Sequence, residues 1–255
     1  MLNTLYSVYD RQRRPLRDHH FMVFPDVGLA YARIPGDPYR AVTGILNRLV
    51  AGSTPEGTSD DSAQGIDSWV GDIEIVTARQ LKRRFPDFCT FAVVQSPAER
   101  ILSAYQCLIE GDTSLPTYFD LNRFDKSMSL LDFVSHVAAI GDMGTDNLLR
   151  SQSAILSHRS KLVPDIVVDL ASLAHTPGAL LDQLSDRATS PIDLTNVEID
   201  VPDHDPENWE IMQGLAVRAA LKQRYKKDYR MFFEEQTEIS RSLASKTRGA
   251  GLAFQ

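Results

Sequence analysis

Short apolar runs alternate along the chain with stretches whose apolar residues recur at helical spacing. Residues 29–34 and 91–94 are dominated by apolar side chains, a pattern typical of strands that are buried on both faces of a sheet. Residues 164–170 contain a third run of this kind. Helix-like stretches follow the first two runs, so the pattern predicts an α/β fold in which the three strands are parallel and adjacent or nearly so.

Helical spacing is clearest directly after the first two strands. Pro97 is expected to open the second of these helices, because its missing N–H costs nothing at that position, and Ser96 is predicted as the N-cap. The apolar faces consist of Val42, Ile45, Leu46 and Leu49 for residues 39–50, and of Ile101, Leu102, Tyr105, Leu108 and Ile109 for the helix after Pro97. Further helices are predicted at residues 129–140, 177–184 and 208–235.

Three segments lack such a pattern. Residues 51–68 are rich in Gly, Ser, Thr and Asp, which predicts a flexible surface loop within one domain. Residues 240–255 are polar and contain glycine, so disorder is expected there. The N-terminal arm is basic and is expected to be a solvated lead-in. The alternative interpretation is a patch that lies near a polyanionic acceptor. Its basic side chains are Arg11, Arg13, Arg14, Arg17, His19 and His20.

Composition narrows the function classes without selecting one. The 255 residues suit a single domain over residues 1–255 with an ample core. A net charge of −7 does not imply nonspecific nucleic-acid binding. No apolar run is long enough to span a membrane and the N-terminus has no apolar signal core, so we expect a soluble, cytoplasmic, bacterial protein. Cys89 and Cys107 are expected to be reduced, buried thiols.

The segment at residues 91–109 also resembles a known family. Its motif is similar to the 3′-phosphate-binding segment of sulfotransferases that use 3′-phosphoadenosine 5′-phosphosulfate (PAPS), especially the carbohydrate (family 2) branch. The matching positions, in order and spacing, are Pro97, Glu99, Arg100, Leu102, Ser103, Ala104 and Tyr105. The chain departs from the family at two positions, because Gln95 stands where the family has Arg and Ser96 where it has an acidic or amide residue.

The loop after residue 34 resembles the 5′-phosphosulfate loop of the same family. Ile34 and Pro35 match, whereas the family lysine is replaced by Gly36 and the Thr-Ser pair by Arg40 and Ala41. Asp37 adds a negative charge that should repel a phosphosulfate. Arg40 or Arg33 is a candidate for the missing cation. With free N–H groups at the helix start, this turn and the turn at Ser96 are each predicted to bind an anion.

The resemblance implies a P-loop-like, three-layer α/β fold, with a central parallel sheet of about five strands and helices on both sides. It implies PAPS as the donor, no metal, and a carbohydrate or small-molecule acceptor. The cofactor-binding residues it implies are Pro35, Gly36, Arg40, Gln95, Ser96, Arg100 and Ser103. Two further positions are similar to the family. One is Gln152, and the other is the end of the predicted C-terminal helix, formed by Tyr225, Asp228, Tyr229 and Phe232.

The catalytic base is the least defined part of the resemblance. The family often carries a His or Glu in the region of residues 69–75, where Asp72 and Glu74 are the available carboxylates. Both also fit surface positions. The leading hypothesis is a sulfotransferase that transfers a sulfuryl group from PAPS to a hydroxyl. The alternative is a catalytically degenerate relative that binds a nucleotide or a partner, since the family Lys and Arg are missing. The absence of G-x-x-x-x-G-K-[ST] argues against a nucleotide kinase.

Overall fold

The computed structural model describes residues 18–51, 73–201 and 203–234, and these pack as two compact units. The first unit comprises the chain up to Gln95 together with Asp142–His204, and the second comprises Ser96–Gly141 together with the chain from Asp205 on. That residues 1–255 form one domain stays a prediction.

The first unit is built on β-strands. In chain order they are β1 (His19–Phe24), β2 (Leu29–Ala32), β3 (Glu74–Thr77), β4 (Cys89–Val94), β5 (Ser157–His158), β6 (Lys161–Leu162) and β7 (Ile166–Asp169). Five of them form one sheet in the order β3-β1-β2-β4-β7, and β5 pairs with β6 separately. Strands β2, β4 and β7 are parallel neighbours, which confirms the prediction for the three apolar runs.

Helices occupy both units. Those of the first unit are α1 (Asp37–Ala41), α2 (Thr43–Ala51), α3 (Ala78–Arg84), α7 (Gln152–Ile155), α8 (Leu170–His175) and α9 (Pro177–Arg187), and those of the second are α4 (Pro97–Tyr105), α5 (Thr117–Leu121), α6 (Leu130–Ala139), α10 (Pro206–Gln213), α11 (Leu215–Arg224) and α12 (Lys226–Asp228). One π-helical turn follows α4 at Gln106–Glu110 and another follows α12 at Tyr229–Phe233. The α/β class is therefore confirmed.

The main core of the first unit lies against one face of the sheet. Alternate residues of β2 and β4, such as Tyr31 and Phe91, point to this face because successive strand side chains alternate. They pack with Ile45 and Leu46 of α2 and with Leu184 of α9. The amphipathic face predicted for residues 39–50 is thus the face that α2 buries.

The sheet is mixed rather than wholly parallel, because β1 runs antiparallel to both β2 and β3. The tight turn Pro25–Gly28 joins β1 to β2, and a connection this short permits only an antiparallel pair. The solvated lead-in predicted for the basic arm is wrong for its last two residues. His19 and His20 belong to β1, and His20 is 4% exposed. The arginines of that arm lie outside the described residues.

Two of the predicted helices are interrupted in the structure. The helix predicted at residues 39–50 is two helices, α1 and α2, which meet at Val42. The long helix predicted at residues 208–235 is wrong, because Gly214 and Tyr225 interrupt it. Strand β7 is only half-buried, since it lies at the edge of the sheet.

The prediction that both cysteines are reduced, buried thiols is confirmed for Cys89, whereas the predicted burial of Cys107 is wrong. Cys89 and Cys107 are both free, but only Cys89 is buried, whereas Cys107 is exposed. Burial raises the pKa of the Cys89 thiol above its ordinary value, with a smaller contribution from the nearby carboxylate of Asp165. The loop predicted at residues 51–68, apart from Ala51 at the end of α2, and the tail predicted at residues 240–255 lie outside the described residues.

The second unit packs its helices around aromatic side chains. Tyr105 of α4 and Phe124 each lie 5.5 Å from Phe133 of α6, measured between ring centroids. Among the described residues of this unit, the charged side chains of Arg100 and Asp228 are also buried, with exposed fractions of 2% and 0%. Among the described residues, no helix of either unit is long and apolar enough to cross a membrane.

Candidate functional site

The turn after β2 is held in place by tyrosine packing. Tyr31 is fully buried, and its hydroxyl donates a hydrogen bond to the carbonyl oxygen of Pro38 at 3.3 Å. Burial raises the pKa of the Tyr31 phenol far above its ordinary value, so the hydroxyl keeps its proton and remains a donor. The Tyr39 ring stacks at 6.4 Å from that of Tyr31. The loop conformation is therefore fixed from the core side.

Gly36 gives this turn a backbone conformation that other residues avoid. Its φ of 96° and ψ of −149° lie in a region that is accessible essentially to glycine alone. A lysine, which the family carries at this position, would be strained here. The departure from the family therefore affects the path of the backbone as well as a side chain.

Replacing Gly36 with alanine is expected to lower the free energy of unfolding by about 1–3 kcal/mol, the cost of a residue held in a sparsely populated backbone region. The added methyl group would lie 3.5 Å from Leu148 Cδ1, an ordinary contact, so the effect would be conformational. Urea denaturation of the full chain measures the change.

The matched control is Gly178→Ala at the start of α9. Nothing lies within 4 Å of the added methyl group there, and the glycine has no unusual φ. This variant is expected to gain about 0.4–1 kcal/mol, because alanine restricts the unfolded chain. Equal changes in both variants would contradict the assignment of strain to Gly36.

Asp37 lies directly after Gly36 and is 5% exposed. Its Oδ1 accepts a hydrogen bond from Arg40 Nη2 at 2.7 Å, and its Oδ2 accepts one from Gln95 Nε2 at 3.2 Å. Arg40 Nε also lies 3.8 Å from Asp200 Oδ2. The Asp37 carboxylate thus accepts hydrogen bonds from both Arg40 and Gln95. These are the two side-chain donors of this unit that are expected from the sequence to bind the cofactor.

Gln95 is fixed in turn by Gln152 of α7. The Gln95 backbone N–H donates to Gln152 Oε1 at 3.0 Å, and Gln152 Nε2 donates to the Gln95 backbone oxygen at 2.7 Å. Both side chains are buried, with exposed fractions of 2% and 0%. The pair of bonds satisfies the main chain at the point where β4 ends and directs the Gln95 side chain. We name Asp37, Arg40, Gln95 and Gln152 the Asp37 cluster.

The backbone of the turn offers few donors to an anion. Pro38 has no N–H, and the amides of Tyr39 and Arg40 both donate to the Gly36 carbonyl oxygen at 3.1 Å. Arg33, the other cation considered from the sequence, has its guanidinium 5.8 Å from the Tyr39 ring centroid. Its Nε is buried with no hydrogen-bond partner among the described residues.

The other predicted cofactor residues belong to the second unit, at the start of α4. Ser96 is the N-cap, as predicted, and its hydroxyl oxygen accepts a hydrogen bond from the Glu99 amide at 3.3 Å. The Ser103 hydroxyl donates to the Glu99 carbonyl oxygen at 3.1 Å. Arg100 is 2% exposed. Their assignment to a 3′-phosphate stays a prediction.

The candidate bases are placed unequally. Asp72 lies outside the described residues. Glu74 begins β3 and forms an ion pair with Arg84, with an Nη1–Oε2 distance of 2.6 Å. Strands β2 and β3 run in the same direction, since β1 is antiparallel to both. Glu74 therefore lies at the amino ends of these two parallel strands, away from the carboxyl ends where the turn after β2 begins. Its catalytic role stays a prediction.

As described, the loop after β2 does not fit a phosphosulfate. A carboxylate occupies it, Arg40 and Gln95 bind that carboxylate, and the glycine conformation disfavours the family lysine. We therefore assign no catalytic step to this loop. Among the described residues, no group of three or more His, Cys, Asp or Glu side chains is arranged to hold a metal ion.

Sequence reasoning identified the members of this cluster without their connections. It treated Asp37 as a repelling charge and Gln152 as a family match, and missed that both contact Gln95. The one signal available was the joint change to Gln95 and Asp37, in which a cation is lost and an anion gained. A single sequence does not show that residues 58 positions apart are in contact.

Comparison with known proteins agrees with the resemblance in the sequence. A family model described as the sulfotransferase family matches residues 19–148, just over half of the chain, and this range includes β1 to β4 and the turns that follow β2 and β4. No match was found among curated proteins or among solved structures. The match and the α/β fold together establish that this chain belongs to the sulfotransferase family.

Proposed function

We propose that the protein transfers a sulfuryl group from PAPS to a hydroxyl group of a carbohydrate or a small metabolite. The observation that carries the proposal is the family match, which covers both strand–turn–helix segments from which the family builds its donor site. Members of this family generally use PAPS as the donor. A carbohydrate or another small molecule is the class of acceptor that the family implies. A cytoplasmic location stays a prediction.

Donor binding by the wild-type chain is expected to be weak. Gly36 and Gln95 replace the family lysine and arginine, and each charge-assisted contact to phosphate contributes about 1.5–3 kcal/mol. Losing both weakens binding by roughly two to four powers of ten relative to a member that has them. Neutral hydrogen bonds from Gln95 would recover part of this loss where Gln95 Nε2 is released from Asp37.

The proposal is tested by calorimetric titration of the full chain with PAP, the desulfated product, and with ATP as the matched nucleotide without a 3′-phosphate. We expect measurable binding of PAP and weaker binding of ATP. A parallel assay measures PAP released from PAPS with a panel of sugars and small alcohols. Preference for ATP, or no PAP release with any acceptor by any variant described below, would contradict the proposed function.

A further inference from the structure

The Asp37 cluster places a negative charge of the protein where the family resemblance locates the phosphosulfate. Asp37 is nine-tenths buried, and both of its oxygens accept hydrogen bonds, from Arg40 Nη2 and from Gln95 Nε2. A buried carboxylate persists in a protein only when it is paired in this way. The cluster is therefore a built arrangement, with Asp37 in the role of the bound anion.

The charges of the cluster leave little attraction for a second anion. Asp37 and Arg40 form an ion pair at 2.7 Å, and Asp200, which is exposed, lies 3.8 Å from the same guanidinium. A phosphosulfate bound through Arg40 or Gln95 would compete with the Asp37 carboxylate for the donors that these two side chains now give to it. Repulsion between like charges at contact distance is strong where water is excluded.

The same contacts indicate how the arrangement opens. The Arg40 side chain is 54% exposed, so it can turn without disturbing the core. Gln95 Oε1 is buried and has no hydrogen-bond partner among the described residues, so no bond to that oxygen would be broken if the Gln95 amide turned away from Asp37. If the carboxylate leaves, the Arg40 guanidinium and Gln95 Nε2 become donors that face the loop.

We infer that Asp37 is an internal competitor of the sulfuryl donor. Its carboxylate closes the loop after β2, and the donor's anionic group is held there only when this carboxylate gives up Arg40 and Gln95. The inference rests on the proposed function, because it takes the competing ligand to be PAPS or PAP. It makes Asp37 a residue that sets donor affinity.

Asp37→Asn tests this inference, because asparagine keeps the shape of the side chain and removes its charge. We expect the variant to bind PAP at least about tenfold more tightly than the wild type, a difference of about 1.4 kcal/mol. Both proteins are titrated as full chains in identical salt, since phosphate contacts are screened. Asp37→Ser, a small residue that suits a helix start, is the second variant should asparagine prevent folding.

Asp200→Asn is the matched control. It removes a carboxylate that also approaches Arg40 but is exposed and is not bonded to Gln95 in the described contacts. We expect PAP affinity to change by no more than about twofold, because exposed charges are well screened. An equal gain in Asp200→Asn would mean that net charge alone is responsible, and it would overturn the inference.

The remaining outcomes separate the inference from the proposed function. Measurable and equal PAP affinity in the wild type, Asp37→Asn and Asp37→Ser would overturn the competitor role and leave the proposed function standing. A lower midpoint of thermal unfolding with unchanged PAP affinity would show that Asp37 is only structural, which also overturns the inference. Tighter PAP binding in the variants without sulfuryl transfer to any acceptor would support the inference and contradict the proposed function. No PAP binding in any variant would overturn both.

Discussion

Replacement of Gln152 by leucine is expected to lower the free energy of unfolding by about 2–6 kcal/mol, because it leaves two buried backbone groups unpaired at about 1–3 kcal/mol each. The groups are the N–H and the carbonyl oxygen of Gln95, both of which bind the Gln152 amide. Leucine has a similar volume, so loss of packing adds little. Urea denaturation followed by circular dichroism measures the change.

Gln183→Leu provides the comparison for this prediction. Gln183 lies on the exposed face of α9 and donates one hydrogen bond to its own helix, to the Ala179 carbonyl oxygen. The same substitution there is expected to change stability by less than about 0.5 kcal/mol, as surface substitutions usually do. If Gln152→Leu were equally mild, the Gln95 backbone would have other partners and Gln152 would not be what fixes the Asp37 cluster.

The sequence allowed prediction of the parallel part of the fold because those strands are apolar on both faces. Residues 29–34, 91–94 and 166–168 could be assigned to parallel neighbours, since a helix-like stretch follows the first two. Strand β2 ends two residues earlier than this pattern predicts, at Ala32. Strand β1 escaped prediction although residues 21–24 are apolar, because the preceding arginines and histidines suggested a solvated arm. Its direction follows from the short turn at Pro25–Gly28, which sequence reasoning did not use.

Side-chain contacts of the candidate site were beyond the reach of single-sequence reasoning. The motif around α4 fixed the N-cap Ser96 correctly, since capping depends on residues three apart. The contact of Gln95 with Asp37 depends instead on how the backbone continues beyond the carboxyl ends of the neighbouring strands β2 and β4. The conformation of Gly36 was equally hidden, because glycine permits many conformations and its presence does not say which is used.

The Asp37 cluster also alters the effect on donor affinity that is expected when the family lysine and arginine are restored. A chain with lysine at position 36 and arginine at position 95 would match the family pattern, and simple addition of two cations predicts tighter donor binding. Lysine at position 36 would have to adopt the strained conformation of Gly36. Arginine at position 95 avoids that strain, so position 95 is where the effect of a restored cation can be measured cleanly.

Gln95→Arg alone is expected to change PAP affinity by less than about threefold, because the new guanidinium would pair with Asp37 in the way that Gln95 Nε2 now does. Combined with Asp37→Asn, the same arginine would be free to bind the donor. The pair of substitutions should then tighten PAP binding beyond Asp37→Asn alone by about 10- to 150-fold, which corresponds to a charge-assisted contact of 1.5–3 kcal/mol.

A double-mutant cycle measures this coupling directly. The wild type, the two single variants and the double variant are titrated with PAP in identical salt, and denaturation midpoints establish that each is folded. Gln95→Lys, which has a smaller head group, replaces arginine if position 95 is too confined. If the arginine tightened PAP binding equally with and without Asp37, the two effects would be additive and the carboxylate would not compete for position 95. A strongly non-additive cycle would place the Asp37 carboxylate and the donor's anionic group in competition for the same cation.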